Sequence, residues 1–438
     1  NTVILKPQKV LYFKIKNTMI KKLFKNYFQH FSEFSIEVKI LAITTFINRC
    51  GAMVVPFLSK YMLEELHFTY SQIGWVMVFF GIGSFIGTWI SGKLSDKIGF
   101  YKVMIFSLFT TGILFILLQF LTTFYSFCFG VLLLTTVSDM YRPAMLVSLD
   151  TYALKADRTR ALSLVRSAVN LGFMFGPIIG GIIITVLDYN YLFYIDGLTC
   201  ILSIVLFSIY VKEKKLPYKL KVFKHLKETT SVFDDKPFLI HLLVTMITGV
   251  LFFQIFTTLS IYYKEVFHFS SLEGGLFLAL NGVLILLFEL PIVKYIETKK
   301  INKLLMVSYG VLAMAIGYLF LLIENNVFTL ILMMVSMTIG VMLTFPFANS
   351  FVKKRSLKKQ EGKFMSVFTM SYSMAQIVST KTGMEIIAKY GYRANWIFLF
   401  VLGLIGFILS YRLVFIVKKE KKIVKQKIVQ SIFVARPK

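Results

Sequence analysis

Long apolar runs alternate with short polar connections along most of this chain, and each run is about the length that crosses a bilayer. A helix rises 1.5 Å per residue, so about 20 apolar residues cross about 30 Å of hydrocarbon. The pattern predicts an all-α membrane protein with twelve transmembrane helices in two six-helix halves. The expected spans lie approximately at 38–63, 70–91, 103–122, 124–149, 161–187, 191–211, 238–263, 271–296, 303–323, 326–351, 363–388 and 394–416.

Polar stretches divide the chain between and beyond these spans. A lysine-rich linker at 212–237 separates an N-terminal half at 37–211 from a C-terminal half at 238–416. Residues 417–438 are expected to form a basic cytoplasmic tail. No connection within either half is long enough to hold a soluble catalytic domain.

The N-terminal segment 1–36 is basic and partly amphipathic. Between Ile20 and Phe31, apolar side chains recur at helical spacing while lysines occupy the other face. This pattern is typical of a helix that lies on an anionic membrane surface. A disordered basic tail is the alternative interpretation, and Met19 is a possible alternative start of the chain.

Lysine and arginine residues are concentrated in every second connection. Since basic connections stay on the cytoplasmic side of a membrane, we expect both termini to be cytoplasmic. The basic connections contain Lys93, Lys97, Lys102, Lys155, Arg158, Arg160, Lys299, Lys300, Lys353, Lys354 and Arg355, besides the lysines of the linker.

Composition points to the same class of protein. Of 438 residues, 57% are hydrophobic and only 16% are charged, whereas about a quarter of a soluble domain is charged. A net charge of +27 would suggest nucleic-acid binding in a soluble protein, but here the cations lie between apolar runs, where they determine topology. The three cysteines lie inside apolar runs without metal-site spacing. We expect no nucleic-acid partner, no metal and no cofactor.

The connection between the second and third expected spans is short, charged and glycine-rich. It contains Gly92, Asp96, Lys97, Gly99 and Lys102 in the order Gly-x-Leu-x-Asp-Lys-x-Gly-x-x-Lys. This order resembles the signature loop of the major facilitator superfamily. The resemblance implies two helical halves that rock about a site between them. An ordinary basic connection is the alternative.

In that family the aspartate of this loop is a latch. The resemblance therefore implies that Asp96 pairs with a basic residue nearby and releases it when the halves move. Arg142 is our first candidate partner and Arg158 the second, with Arg166 further along the same stretch.

The fifth expected span contains Gly172, Gly176, Pro177, Gly180 and Gly181. Small residues four apart let another helix approach closely, and a proline favours a bend. The pattern resembles the fifth-helix motif of bacterial drug:proton antiporters, which implies export. A plain packing stripe would contain the same glycines. Proton-coupled members of the superfamily usually have an arginine near the start of the fourth span. In this chain the corresponding region, around Val131, is apolar.

Ionisable residues inside apolar spans are costly, so each one is a functional hypothesis. Arg49 lies near mid-depth of the first span and requires a carboxylate or an anionic substrate as its partner. Asp139 and Glu289 are the candidate partners and the candidate proton carriers, although each could form a static ion pair instead. Asp139 and Arg142 lie one helical turn apart, which predicts that they pair.

Single amides interrupt several apolar spans. A buried amide is most often a contact between helices, but each of these is also a candidate for lining the substrate pathway. The candidates are Asn170, Gln254, Asn281, Asn349 and Gln376.

These observations predict a secondary active transporter rather than an enzyme. We expect proton-coupled export of small amphipathic compounds by a monomer in a bacterial inner membrane. Uptake of an anionic solute or short peptide is the alternative, favoured by Arg49. A membrane sensor or an intramembrane enzyme is more remote, because the sequence has neither an output domain nor a His-Glu-x-x-His or Gly-x-Ser-x-Gly motif.

Overall fold

The computed structural model describes residues 34–153, 158–214, 232–323, 326–355 and 361–434. The expected interfacial helix before residue 34 and most of the expected linker lie outside these residues. The described part is built of helices that are long and apolar enough to cross a membrane. We number them as spans 1 to 12 in chain order.

The first half contains spans 1 to 6, and two of them are interrupted. Span 1 consists of Ile36–Cys50 and Val54–Glu64, and span 4 consists of Phe124–Ser138 and Tyr141–Tyr152. The uninterrupted spans 2, 3, 5 and 6 are Tyr70–Ile98, Phe100–Leu118, Arg158–Val186 and Tyr189–Tyr210.

The second half contains spans 7 to 12. Span 7 consists of Lys236–Phe253 and Thr258–Glu265 with a 3-10 turn between them. Spans 8, 9 and 10 are Ser271–Thr298, Lys303–Ile323 and Val327–Arg355. The last helical stretch, Glu361–Val434, is broken at Gly391, where φ is 79°. This break divides it into spans 11 and 12 and confirms the twelve-span fold.

An even number of spans places the start of span 1 and the end of span 12 on the same side, which we call the proximal face. The opposite side, which contains the connections between spans 1 and 2, 7 and 8, and 11 and 12, is the distal face. At the proximal face, Arg355 of span 10 donates to Asp235 before span 7 at 2.6 and 2.8 Å. The same guanidinium donates to Glu420 of span 12 at 2.8 and 3.2 Å, so it joins three spans.

The connection between spans 2 and 3 differs from the expectation. Residues 92–98 continue the helix, and the turn consists of Gly99 alone, at φ 93° and ψ 147°. This conformation is accessible almost only to glycine. We expected residues 92–102 to form the connection, and this expectation was wrong because polarity marks where a helix leaves the membrane and not where the helix ends.

Each half has its own apolar core, and two seams join the halves. Residues between 38 and 211 form most of one core, and residues between 238 and 399 form the other. Span 5 packs on span 8, and span 2 packs on span 11, through glycines that allow close approach. A Cβ on Gly275 would lie 2.3 Å from the Pro177 carbonyl oxygen, and one on Gly81 would lie 2.2 Å from the Ile377 side chain.

Candidate functional site

Arg166 and Glu289 form an ion pair that bridges the two halves. The Arg166 guanidinium of span 5 donates to the Glu289 carboxylate of span 8. Glu289 is only 8% exposed, whereas Arg166 is exposed. At 1.5 Å per residue, both lie about 12 to 14 Å along their helices from the proximal face. The structure therefore gives Glu289 a partner other than Arg49.

Arg49 lies at the end of the first segment of span 1, about 20 Å along the helix axis from Ile36. Its backbone packs directly on span 5, because a Cβ on Gly172 would lie 2.3 Å from the Arg49 Cβ. Its guanidinium carbon lies 5.7 Å from the centre of the Phe173 ring. The glycine of span 5 explains how the chain accommodates Arg49 at this position.

Three residues at the break in span 4 share the electrostatic environment of Arg49. Asp139 attracts its guanidinium, Arg142 repels it, and Tyr141 also acts on it. Among the described residues, Arg49 and Asp139 do not form an ion pair with each other. The first half therefore presents Arg49, Arg142 and Asp139 in this region.

The expected pairing of Asp139 with Arg142 was wrong. The helix ends at Ser138 and begins again at Tyr141, so the two residues do not have the one-turn spacing of a continuous helix. Arg142 is exposed and acts electrostatically on Tyr372 of span 11 instead. The charge of Arg142 thus acts across the two halves.

The second half contributes aromatic side chains to this region. The ring of Tyr372 lies 5.5 Å from Phe345 of span 10, and Phe345 lies 5.1 Å from Phe252 of span 7. All three are partly exposed, and they come from three different spans of the second half. We call Phe252, Phe345 and Tyr372 the aromatic face, and Arg49 and Arg142 the cationic face.

The five amides are divided between packing and partial exposure. Gln254 is fully buried, and its Nε2 donates to the Ser379 carbonyl at 2.7 Å, so it does not line a pathway in this conformation. Asn281 donates to Thr338 of span 10 at 2.9 Å, and Asn349 donates to the Phe345 carbonyl of its own helix at 3.0 Å. Asn170 and Gln376 are partly exposed.

The glycines of span 5 have packing partners. Gly172 and Gly176 contact the backbone around Arg49 and Cys50 of span 1, and Gly180 contacts Phe57 further along the same span. Gly181 contacts the backbone of Ser271 in span 8. With Pro177 touching Gly275, the motif joins span 5 to one neighbour in each half.

The expected latch around Asp96 is only partly visible. The backbone of Asp96 is helical, but its side chain and that of Arg158 lie outside the described side chains. Within the described part of the chain, a Cβ built on Gly92 would have no neighbour within 4 Å, and Lys97 and Lys102 are exposed. The pairing of Asp96 with Arg142 or Arg158 therefore stays a prediction.

Polar contacts between the halves close the distal face, and the sequence patterns did not predict them. Lys60 donates to Ser271 at 2.8 Å, and Lys264 forms an ion pair with Glu64. On the other seam, Ser71 of span 2 donates to Glu385 at 2.6 Å.

A second distal carboxylate has partners from both halves. Glu265 accepts from Tyr70 of span 2 and from Tyr392 of span 12, each at 2.6 Å. Lys381 pairs with Glu385 at 2.5 Å, as its spacing predicts. The described conformation is thus closed at the distal face, whereas Gly92 near the proximal face has open space beside it.

Comparisons with known proteins agree with this architecture. The profile of the Major Facilitator Superfamily matches residues 41–380 and 298–436. The chain is 25% identical over 228 residues to the uncharacterized MFS-type transporter YuxJ of Bacillus subtilis; that match covers 50% of this chain and 58% of YuxJ. It is 22% identical to the uncharacterized MFS-type transporter MJ1560 of Methanocaldococcus jannaschii over 85% of this chain and 97% of the relative.

A solved structure shares the fold at low sequence identity. The crystal structure of a POT family transporter in complex with 5-aminolevulinic acid superimposes with a TM-score of 0.74. The sequence identity is 16%, and the superposition covers 87% of this chain and 96% of that one. The likeness therefore concerns the arrangement of the spans.

Proposed function

Because this chain belongs to the major facilitator superfamily, we propose that it carries small amphipathic compounds with an anionic group across the membrane. The two halves would expose a site between them to each side in turn. Protons would be the coupling ion. The family makes the chain a transporter and not an enzyme, and the residues of the two faces support this substrate class.

The observation that carries the proposal is the cationic face in the first half, whose Arg142 acts electrostatically on Tyr372 of the aromatic face in the second half. Arg49 and Arg142 carry two positive charges in this region, and Asp139 is a described carboxylate that attracts Arg49. A cation without a paired carboxylate in an apolar slab is costly unless a ligand neutralises it. An anionic group supplies that charge, and aromatic rings suit the apolar part of the same compound.

Glu289 is the proton carrier in this proposal. Its pairing with Arg166 joins spans 5 and 8 across the halves. Protonation of the carboxylate would remove the charge attraction, leaving an exposed arginine that water can solvate. Proton binding would therefore favour separation of the halves near the proximal face. Asp139 stays the second candidate for this role.

The direction of transport rests on the glycine motif of span 5. Its resemblance to the motif of drug:proton antiporters supports export. Uptake of an anionic solute or short peptide is the second candidate, supported by Arg49 and Arg142. The 5-aminolevulinic acid named with the POT family structure carries a carboxylate, which agrees with that candidate. We place both termini in the cytoplasm of a bacterial cell, with a monomer in its inner membrane.

A matched pair of probes tests the substrate class. Salicylate and salicylamide have the same ring, and only salicylate carries a negative charge at neutral pH. In proteoliposomes, we expect saturable, protein-dependent accumulation of salicylate and none of salicylamide. Equal transport of both compounds would refute the assignment of an anionic substrate, and a wider panel would include 5-aminolevulinic acid and a dipeptide.

Membrane orientation then decides the direction. Export predicts that inside-out vesicles with an acid interior accumulate salicylate, since protons leaving the vesicle drive the substrate in. Accumulation by right-side-out vesicles with an acid exterior would show uptake instead. Collapse of the pH gradient with a protonophore should abolish accumulation in either case.

A further inference from the structure

Asp196 is a carboxylate at 0% exposure within span 6, and it contacts the break in span 1. The backbone N–H of Met53 donates to both of its oxygens at 3.0 Å, and the N–H of Val54 donates at 2.8 Å. Among the described residues it forms no ion pair. A buried carboxylate thus binds the N–H groups of the N-cap residue and of the first residue of the segment that follows the break.

These two N–H groups explain why span 1 stays broken. In a continuous helix, the N–H of Met53 would donate to the Arg49 carbonyl, and that of Val54 would donate to the Cys50 carbonyl, four residues back. Asp196 accepts both N–H groups instead, and the N–H of Met53 also donates to the Gly51 carbonyl at 2.8 Å. The carboxylate also faces the positive end of the helix dipole of Val54–Glu64, which stabilises its charge.

Span 6 is placed against the break by Gly51. A Cβ on Gly51 would lie 1.9 Å from the Thr199 hydroxyl oxygen, one turn beyond Asp196 on the same helix. Glycine is therefore required here for close approach. The break begins two residues after Arg49, so the contacts of Asp196 determine where the helix that carries Arg49 ends.

The second half has a related break with different chemistry. The two halves are parallel repeats, so related positions in them are about 200 residues apart in the sequence. Span 7 is interrupted at Gln254–Phe256. There, Asn395 of span 12 donates to the Gln254 side chain at 3.4 Å. The position related to Asp196 is therefore a neutral amide that contacts a side chain and not the backbone.

We propose that Asp196 is a positioning residue for Arg49. It keeps residues 51–53 out of the helix, so that the guanidinium at the end of the first segment points into the site between the halves. This inference rests on the proposed role of Arg49 as the anion-binding residue. Asp196 acts as a hydrogen-bond acceptor, and the proposal does not require it to exchange protons.

Three variants test the inference in proteoliposomes with salicylate as the probe. Asp196→Leu removes both acceptors, and we expect its KM to rise about tenfold while kcat changes less than about threefold. Asp196→Asn keeps one acceptor oxygen, so its KM should stay within about threefold of the original protein, with transport still driven by a pH gradient. Asn395→Leu is the matched control in the other half and should leave the KM near its original value.

The rise in KM of Asp196→Leu should depend on the presence of Arg49. In an Arg49→Ala background, Asp196→Leu should have no further effect on the KM, because the residue that it positions is gone. Full additivity of the two changes would overturn the proposal. A loss of proton-driven transport in Asp196→Asn would also overturn it, because it would assign Asp196 a proton-carrying role.

Cys50 gives a measurement that needs no substrate. It precedes the break, and mass spectrometry can follow its labelling by N-ethylmaleimide separately from Cys128 and Cys200. We expect the labelling rate to change in Asp196→Leu, and to stay unchanged in Asp196→Asn and Asn395→Leu. If Arg49→Ala leaves salicylate transport intact, the proposed function fails, and Cys50 still shows whether Asp196 controls the break. An unchanged rate in Asp196→Leu would refute that control.

Discussion

Glu289 of span 8 meets Arg166 of span 5 across the seam between the two halves. Neither residue has another ion-pair partner among the described residues. The pair lies on the proximal side of the glycine contacts that bring the two helices together, such as Gly282 against Met174. The seam thus combines close apolar packing with one titratable contact.

Replacing Glu289 with Gln should separate transport from its driving force. Glutamine cannot bind or release a proton, so we expect loss of accumulation driven by a pH gradient, while exchange of labelled for unlabelled salicylate continues. The measurement is both assays in proteoliposomes. Glu297→Gln is the matched control, because Glu297 lies on the same span, is exposed and pairs with Lys303 at 2.7 Å. Retained pH-driven accumulation in Glu289→Gln would move the proton-carrying role to Asp139.

Replacing Arg49 with Ala should weaken binding of the anionic probe. Loss of a charged hydrogen bond corresponds to about tenfold or more in affinity for salicylate. Binding is measured by the shift in melting temperature of the purified protein as salicylate is added, with salicylamide as the neutral comparison. Arg49→Lys should retain part of the affinity. An identical salicylate response in Arg49→Ala would show that Arg49 only supports the fold.

Two glycines near the proximal face should respond in opposite ways to alanine. Gly99 has φ 93° and ψ 147°, so alanine is strained there by about 1 to 3 kcal/mol. Gly92 is helical with open space beside it, so alanine at this position should stabilise the folded protein by about 0.5 to 1 kcal/mol. We expect a lower melting temperature for Gly99→Ala and an equal or higher one for Gly92→Ala. The reverse order would contradict the single-residue turn.

Adjacent glycines of span 8 offer a test of the distal seam. A Cβ on Gly275 would lie 2.3 Å from the Pro177 carbonyl oxygen, whereas one on Gly274 would lie 3.8 Å from the Tyr263 ring. Gly275→Ala should therefore destabilise the closed distal face by about 1 to 3 kcal/mol, and Gly274→Ala should not.

Spin labels can measure this opening directly. Asn190 and Phe328 are exposed at the distal ends of spans 6 and 10, one in each half. The distance between labels at these positions should lengthen in Gly275→Ala and stay unchanged in Gly274→Ala. Equal distances in the two variants would mean that the glycine contact does not control closure.

The sequence predicted the spans well because the bilayer imposes a length on each apolar run. It predicted the ends less well. Residues 92–98 are polar yet helical, since a helix can continue into water beyond the membrane. The pairing of Arg166 with Glu289 depends on how spans 5 and 8 pack, which periodicity along one helix does not contain. Asp196 meets the same criterion as Arg49, an ionisable residue inside a span, and it was not among the predicted site residues.

The single residue between spans 11 and 12 has a mechanical consequence. Because Gly391 alone connects spans 11 and 12, a displacement of one helix at Gly391 must also displace the other helix. Span 11 contacts span 2 near this joint. Span 12 returns across the membrane to Glu420, which accepts a hydrogen bond from Arg355. Spans 11 and 12 are therefore mechanically coupled, so a movement that begins at one face of the membrane also displaces the contacts at the other face.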